Sequence, residues 1–490
     1  MRRSIGILLV VMAAAGVCTG GNPEGWATVG STSFSSAIVV QNMSNETAHV
    51  QITYPTPCDP TTPDYQVTLE PWACSTVNVN DVQPGPWLGA AVVTSDMPII
   101  AQRSMVWSDP RSCVQKAAGT HGVHEPATMW YLPEGNTWGG FDTSIVIQNV
   151  NDAPVNVAPT FITDVSKHPG PTVTVEPFTT SAIHVKETLP DWSSFSTALI
   201  SSGPVIAQAT MMWSNGRSTQ DILGVQAPST MWYLAEGSTS GGFETWYAIQ
   251  NPNTESVTVS VDFYSSDGQV PGPTVVVDPM ARKTVYAADS LPDTFGFSAV
   301  VTASAPVVAC QTTTWDGHHG ASVMPGVPAP SPQWAFVDSS NAHGRSTWFS
   351  VWNVGDETAD VSITYQPVDG SRQDGTALAL DPYGSKSVSL SGFTPSGFTG
   401  SVVITSDVPV VAVQGTAWQC GDDTHRDVQF GVWEGSTTWY LPAVPSEPPL
   451  WMSTEQPAPG PDLSDRDGDG VPDDEDYCPD WPGDPSTNGC

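Results

Sequence analysis

Positive charge is the scarcest commodity in this chain. Its 490 residues carry 15 Lys plus Arg against 50 Asp plus Glu, a formal charge of −35. Such a surface repels nucleic acid and anionic lipid, so neither is expected as a partner. Charge of either sign is thin, at 13% of residues. Long apolar runs are missing too. Beyond the N-terminus no stretch approaches the ~18 apolar residues of a membrane-spanning helix. Catalytic signatures are absent: there is no G-x-S-x-G elbow and no H-E-x-x-H, and His124-Glu125 runs into Pro126. The nine histidines do not recur at equivalent places. His121, His124, His318 and His319 lie in glycine-rich loops, where solvation explains them better than a metal. No long window carries a helical period. A non-catalytic, all-β protein is expected.

What is present begins with a leader. Arg2 and Arg3 precede an apolar run from Ile5 to Ala15, and small residues follow. This is the pattern of a secretory signal peptide over residues 1–20, and it implies a secreted or cell-surface location. Cys18 is either a lipid-anchor acceptor or leaves with the signal; Val17 departs from the small residue that a bacterial lipid-attachment site wants. Export implies an oxidising compartment. Cys58 and Cys74 are expected to bridge, as are Cys478 and Cys490. Cys113, Cys310 and Cys420 remain, an odd number that leaves at least one unpaired.

Self-similarity is the strongest feature. WYLPEG starts at Trp130, WYLAEG at Trp232, WAFVD at Trp334 and WYLP at Trp439, spaced 102, 102 and 105 residues apart. A second series ends in Trp107, Trp213, Trp315 and Trp418. A third ends in Asn42, Asn149, Asn251 and Asn353. Three series sharing one period define four tandem units at 26–128, 129–230, 231–332 and 333–444.

Within the third unit, strands are expected at Met231–Leu234, Glu244–Gln250, Ser256–Tyr264, Pro273–Asp278, Lys283–Ala287, Phe297–Thr302 and Pro306–Trp315. Pro98, Pro204, Pro306 and Pro409 should each open a strand after a tight turn. Seven short strands in about 100 residues describe an immunoglobulin-like β-sandwich, without the Cys…Trp…Cys pattern of antibody domains. Short linkers such as GVQAPST favour a stiff rod of sandwiches stacked end to end. The final WYLP at Trp439 has no unit behind it and is expected to close the fourth. A Pro-rich spacer, 445–464, follows.

The 19 tryptophans raise a carbohydrate-binding alternative. Those of the second series end apolar strands and read as core. Trp87, Trp138, Trp192 and Trp348 are less regular and are candidates for exposure. The asparagine series reads as side-chain turns rather than a ligand site. Glu134, Glu236 and Asp338 recur after the first strand of units two to four. Calcium at the joints is one reading of them, and solvated turn acids the other.

The chain ends in DRDGDGVPDDEDYCPDWPGDPSTNGC. Nine carboxylates and one arginine fall within 462–480. Counted from Asp465, acids occupy loop positions 1, 3, 5, 9 and 12 (Asp465, Asp467, Asp469, Asp473, Asp476), with Gly470 at position 6 and the Val471 carbonyl at 7. That is oxygen-ligand spacing for calcium. Carboxylates about 5 Å apart repel by roughly 0.8 kcal/mol per pair even in water, and a divalent ion reverses the sign. The stretch from Asp465 to Cys478 resembles a thrombospondin type 3 repeat, D-x-D-x-D-G-x-x-D-x-x-D-x-C. The continuation to Cys490 resembles the bridged segment beside such repeats in outer-membrane porin A-like proteins. There a peptidoglycan-binding domain follows, which the sequence to Cys490 does not include, so that function is not carried over. The 102-residue units resemble tandem repeats of secreted bacterial surface proteins, a likeness that implies no activity. Together these features describe an exported structural or adhesive rod with calcium as its cofactor. Its partner would be a cell-surface component, matrix or glycan. A carbohydrate-binding repeat protein is the alternative.

Overall fold

The computed structural model describes residues 34–445, apart from short stretches at 84–87, 109–114, 139, 190–193, 214–217, 267, 316, 318–319, 343, 369–370 and 421–422. The signal peptide, Cys18, the 446–464 part of the Pro-rich spacer and the whole segment 465–490 lie outside the described residues, and with them Asp465, Asp467, Asp469, Val471, Asp473, Asp476, Cys478 and Cys490. The protein is all-β. Four curled antiparallel sheets of 7, 8, 7 and 7 strands follow one another along the chain. Among the described residues no helix is long and apolar enough to cross a membrane.

The third repeat shows how the pattern folds. An opening strand, Ser229–Ser238, is followed by Glu244–Asn251, Val257–Ser265, Gly268–Val277 and Ala281–Tyr286. A long strand, Phe295–Trp315, then runs into an exit strand, Gly320–Pro325. The two strands expected at Phe297–Thr302 and Pro306–Trp315 are therefore one. Its first half pairs with the opening strand and Val257–Ser265; its second half pairs with Glu244–Asn251 and the exit strand. One strand thus serves both faces of the repeat, with apolar side chains packed between. Pro306 lies at the crossing and not at a strand start. Pro98, Pro204 and Pro409 sit likewise inside Leu88–Ser108, Ser194–Trp213 and Thr399–Cys420. A residue without an N–H fits a corner where the ladder changes partners.

The recurring tryptophans and asparagines hold this corner. Trp130, Trp232, Trp334 and Trp439 are all buried, and each indole N–H donates to a carbonyl of the long strand: Val205, Val307, Val410 and Ile99, at 2.8–2.9 Å. Asn42, Asn149, Asn251 and Asn353 are buried as well. The Asn251 amide donates to the Glu255, Val277 and Asp278 carbonyls, while its oxygen accepts from the Asn253 backbone. The other three repeat the scheme. These are side-chain-locked turns, as their sequence setting implied. Trp213, Trp315 and Trp418 are buried, as expected of core.

The expected rod is not what the chain builds. The last strand, Ser436–Pro445, does not close the fourth repeat. It pairs with Leu88–Ser108 of the first. There it supplies the opening strand that 34–121 lacks, down to the Trp439 hydrogen bond and the bridge of Tyr440 to Val123. Each opening strand also packs on the next repeat, first on second through fourth on first, and the exit strands meet in the same cyclic order. The four repeats form a closed ring. The physical reason is edge satisfaction: the first sheet has an unpaired edge, the final apolar strand has none to share, and pairing them removes both.

The expected Cys58–Cys74 bridge is not made either. Cys74 is a buried thiol that donates to the Gln366 carbonyl across the joint of the first and fourth repeats, at 3.7 Å. The disulfide of Cys58 goes to another partner.

Candidate functional site

Function in a repeat ring is sought where the repeats differ, and they differ at the joints. Glu134 and Glu236 hold equivalent places at the end of the opening strands of repeats two and three. At the second joint Glu134 faces Arg282 of the third repeat. The guanidinium is buried and lies 3.3 Å from the Glu134 carboxylate and 3.3 Å from that of Asp164. Thr312 adds a hydroxyl at 3.5 Å. Burial pushes the Glu134 carboxyl above its ordinary range, and Arg282 holds it down. A cation is already in place there, and it is an arginine. Calcium is not needed to explain Glu134, and neither is solvation.

At the next joint the position of Arg282 is filled by Ser385. The ladders fix the equivalence: Arg282 is registered against Gln250, and Ser385 against Trp352, each one residue before the repeat's turn asparagine. With no arginine to fill it, the joint holds a cavity of about 640 Å³. Glu236 instead accepts a short hydrogen bond from the Trp348 indole of the fourth repeat. Its second oxygen is closed to solvent, with the Ser350 hydroxyl beside the carboxyl. Burial pushes its pKa up to about 7, against the pull of Trp348, of the Ser350 hydroxyl and of Arg426. The backbone of Glu236 is left-handed, φ 65°. For a residue with a Cβ this costs of order 1 kcal/mol, and such strain concentrates at functional positions.

Trp348 owes its pose to Gly415. A Cβ there would come within 2.1 Å of the indole, so the ring lies flat on the long strand. The equivalent positions carry Ser104, Thr210 and Thr312. Arg426 lies over the Phe243 ring at 4.7 Å and over Trp315 at 5.8 Å. Its Nε is buried without a hydrogen bond. Phe295, 78% exposed, stands at the mouth beside Gly296, whose φ is 71°. The hydroxyls of Ser385 and Ser387 open to solvent along one wall.

A second cavity, of about 470 Å³, lies where the exit strands meet. His121, His124, Asp221 and Asp427 line it. Asp221 is spoken for by the buried Arg103 guanidinium, which also donates to the Pro442 carbonyl of the ring-closing strand at 3.0 Å. Asp427 is pushed up to about 7, first by burial and then by Asp221 and Asp338. His124 packs edge-on against Trp439, at 4.2 Å. The chain closure occupies much of this chemistry.

Of the other expected positions, Asp338 is ion-paired with Arg345 at 3.2 Å. Glu134, Glu236 and Asp338 are thus not brought together, and among the described residues no group of three or more metal-ligating side chains exists. Trp138 is 38% exposed and Trp348 half-buried; Trp87 and Trp192 lie outside the described residues. Sequence reasoning singled out Glu236 and Trp348 separately. It missed Arg426, Ser385 and Gly415, because each matters only by departing from its equivalents.

Residues 201–433 match a family of unknown function, DUF5719. No curated protein matches. Among solved structures, the chain is similar to the crystal structure of Thermotoga maritima 1070 (24% identity, 22% of this chain and 98% of that one, TM-score 0.21). It is similar to the Anabaena sensory rhodopsin transducer (29% identity, 17% of this chain and 92% of that one, TM-score 0.16). It also matches a tetra-tandem repeat in the extending region of a large adhesion protein (10% identity, 80% of this chain and 92% of that one, TM-score 0.11).

Proposed function

We propose that this is an exported, non-catalytic surface protein: a structural or adhesive ring of immunoglobulin-like sandwich repeats, followed by a calcium-binding segment that resembles a thrombospondin type 3 repeat. The observation that carries the reading is the pairing of Ser436–Pro445 with Leu88–Ser108. A tandem array ordinarily frays from its end repeats. A closed one has no end repeat, and that resistance suits a protein exposed to proteases and shear. The leader around Arg2 and Arg3 supports export, and the acid spacing from Asp465 to Asp476 supports calcium.

A membrane-impermeant biotin reagent applied to intact producing cells is the test. Labelling of the chain before lysis is expected, and labelling only after lysis defeats the reading. Calcium is tested separately by titrating the whole chain and its Asp465→Asn/Asp469→Asn variant. Removing two of five ligand charges should weaken binding at least tenfold. An unchanged titration, or none up to millimolar calcium, would leave the acids as a solubilising tail. A glycan-binding role is the second reading, favoured by the aromatic and hydroxyl lining of the open joint.

A further inference from the structure

We propose that the open joint between the third and fourth repeats is a binding site for a neutral saccharide, with Trp348 as the stacking platform and Glu236 and Arg426 as the hydroxyl-binding pair. This deepens the glycan-binding reading by naming the place and the ligand class. The volume is the first argument. About 640 Å³ accommodates a sugar of two or three rings, and ligand cavities ordinarily run from ~300 to ~1,000 Å³.

The walls are the second argument. Aromatic faces suit the C–H faces of a pyranose, and this joint is built to bare one. In the third repeat the residue equivalent to Trp348 is Trp246. Its indole is covered by Tyr286, stacked 4.0 Å away at 21°. The ladder partner of Trp348 is Ser389, which cannot cover it. Gly415 then lets the indole lie flat, and Glu236 fixes its rotation through the N–H.

The polar groups choose among ligands. The Glu236 carboxylate and the Arg426 guanidinium both line the cavity and lie close enough to act on one another's charge. One acceptor beside one donor matches neighbouring hydroxyls on a sugar ring. An aliphatic ligand would strip water from both charged groups and return no hydrogen bond, at a cost. A polyanion would meet Glu236 and a chain of charge −35. The closed second joint is the internal control, since Arg282 occupies there the space that Ser385 vacates.

The test is calorimetric titration of the purified full chain, with tryptophan fluorescence alongside. The probes are cellotetraose, maltotetraose, mannotriose and chitotriose, with oligogalacturonate and decanoate as the charged and aliphatic arms. Saturable binding of at least one neutral sugar is expected, weakened at least tenfold by Trp348→Ala. Because that variant risks misfolding, Ser385→Arg is the second: it fills the cavity with the side chain that the second joint already tolerates, and it should abolish binding while the protein stays folded. Binding untouched by Ser385→Arg, no neutral sugar bound at 10 mM, or binding of the galacturonate or decanoate alone would overturn the proposal. The purified chain answers this whether or not the protein is exported, so the site and the surface role fail separately.

Discussion

The second and third joints of the ring start from the same plan and end in different chemistry. At the second, a glutamate meets an arginine from the next repeat, and the space is filled. At the third, the glutamate occupies the same position, the arginine is replaced by a serine, and the space is open. The carboxyl that lost its partner takes an indole N–H instead and is pushed up to about 7. A buried carboxylate is expensive even with Arg426 nearby, and shifting the proton equilibrium is the cheapest escape. The lesson is that a repeat protein can make a site by deletion. What the third joint gained is a glycine that bares a tryptophan and Arg426, where the third repeat's exit strand carries Ala321.

The bluntest way to break the comparison is to open the ring that holds both joints. Truncation after residue 435 removes Trp439, Leu441 and Val444, all buried. Loss of the tryptophan alone is worth about 3–5 kcal/mol, and the first sheet is left with a bare edge. Collapse of the denaturant midpoint, or aggregation, is expected. An unchanged midpoint would mean that the closure does not hold the fold.

The next largest effect should come from Arg282→Met. It leaves Glu134 buried beside Asp164 with no cation, at a cost of about 3–5 kcal/mol. The loss should be greater at pH 8 than at pH 5, because a carboxyl without its arginine can be neutralised by a proton at low pH. A loss independent of pH would show that packing, and not the ion pair, matters there.

Glu236 at the third joint and Asp427 in the cavity of the exit strands predict a pH dependence in the native protein. Glu236 and Asp427 both have folded pKa values raised to about 7. The folded state therefore binds protons that the unfolded chain releases. Their contribution is fully present below the unfolded carboxyl range, near pH 4, and is lost as pH rises through 7. From pH 5 to pH 8 the unfolding free energy should fall by roughly 1–3 kcal/mol for each group, since one pK unit is about 1.4 kcal/mol. Glu236→Gln should remove one share of the slope, measured by urea denaturation at a series of pH values. A wild-type curve that is flat or rises would refute the assignment.

The smallest and sharpest change is Ser385→Arg, which copies the second joint into the third. The Glu236 pKa should drop towards the ordinary range and its part of the slope should disappear. The net change in stability should stay within about 1 kcal/mol, because the gain in pairing is offset by burying a second charge. A slope equal to that of the wild type would show that the two joints are not interchangeable.

Much of this was legible before any coordinates. The turn asparagines announced themselves by position, because an Asx turn is a local device in which Asn251 contacts the Asn253 backbone and carbonyls of its own repeat. Three of the four indole anchors recurred for the same reason, each bonding a carbonyl of its own repeat, while Trp439 makes the same bond to Ile99 across the ring closure. Gly415 and Ser385 were invisible, since an ordinary small residue carries no signal until the thing it fails to fill is known. The prolines misled by being read as strand starts. In a strand that changes sheets the corner is also a place where an N–H is not wanted, and only pairing on both sides distinguishes the two.

By itself the sequence determined the period, the strand-rich class, the four units and the residues that lock each unit's turns, because all of these are contacts within about 100 residues that must be made anew in every copy. Only the tertiary structure decided that the last strand belongs to the first sheet, that Glu134 is neutralised and Glu236 is not, and that the array is a ring and not a rod. Ser436–Pro445 carries an apolar pattern that demands an edge. Hydrophobic burial has no direction, and which edge lies within reach is a property of how four repeats turn on one another, which no single repeat encodes.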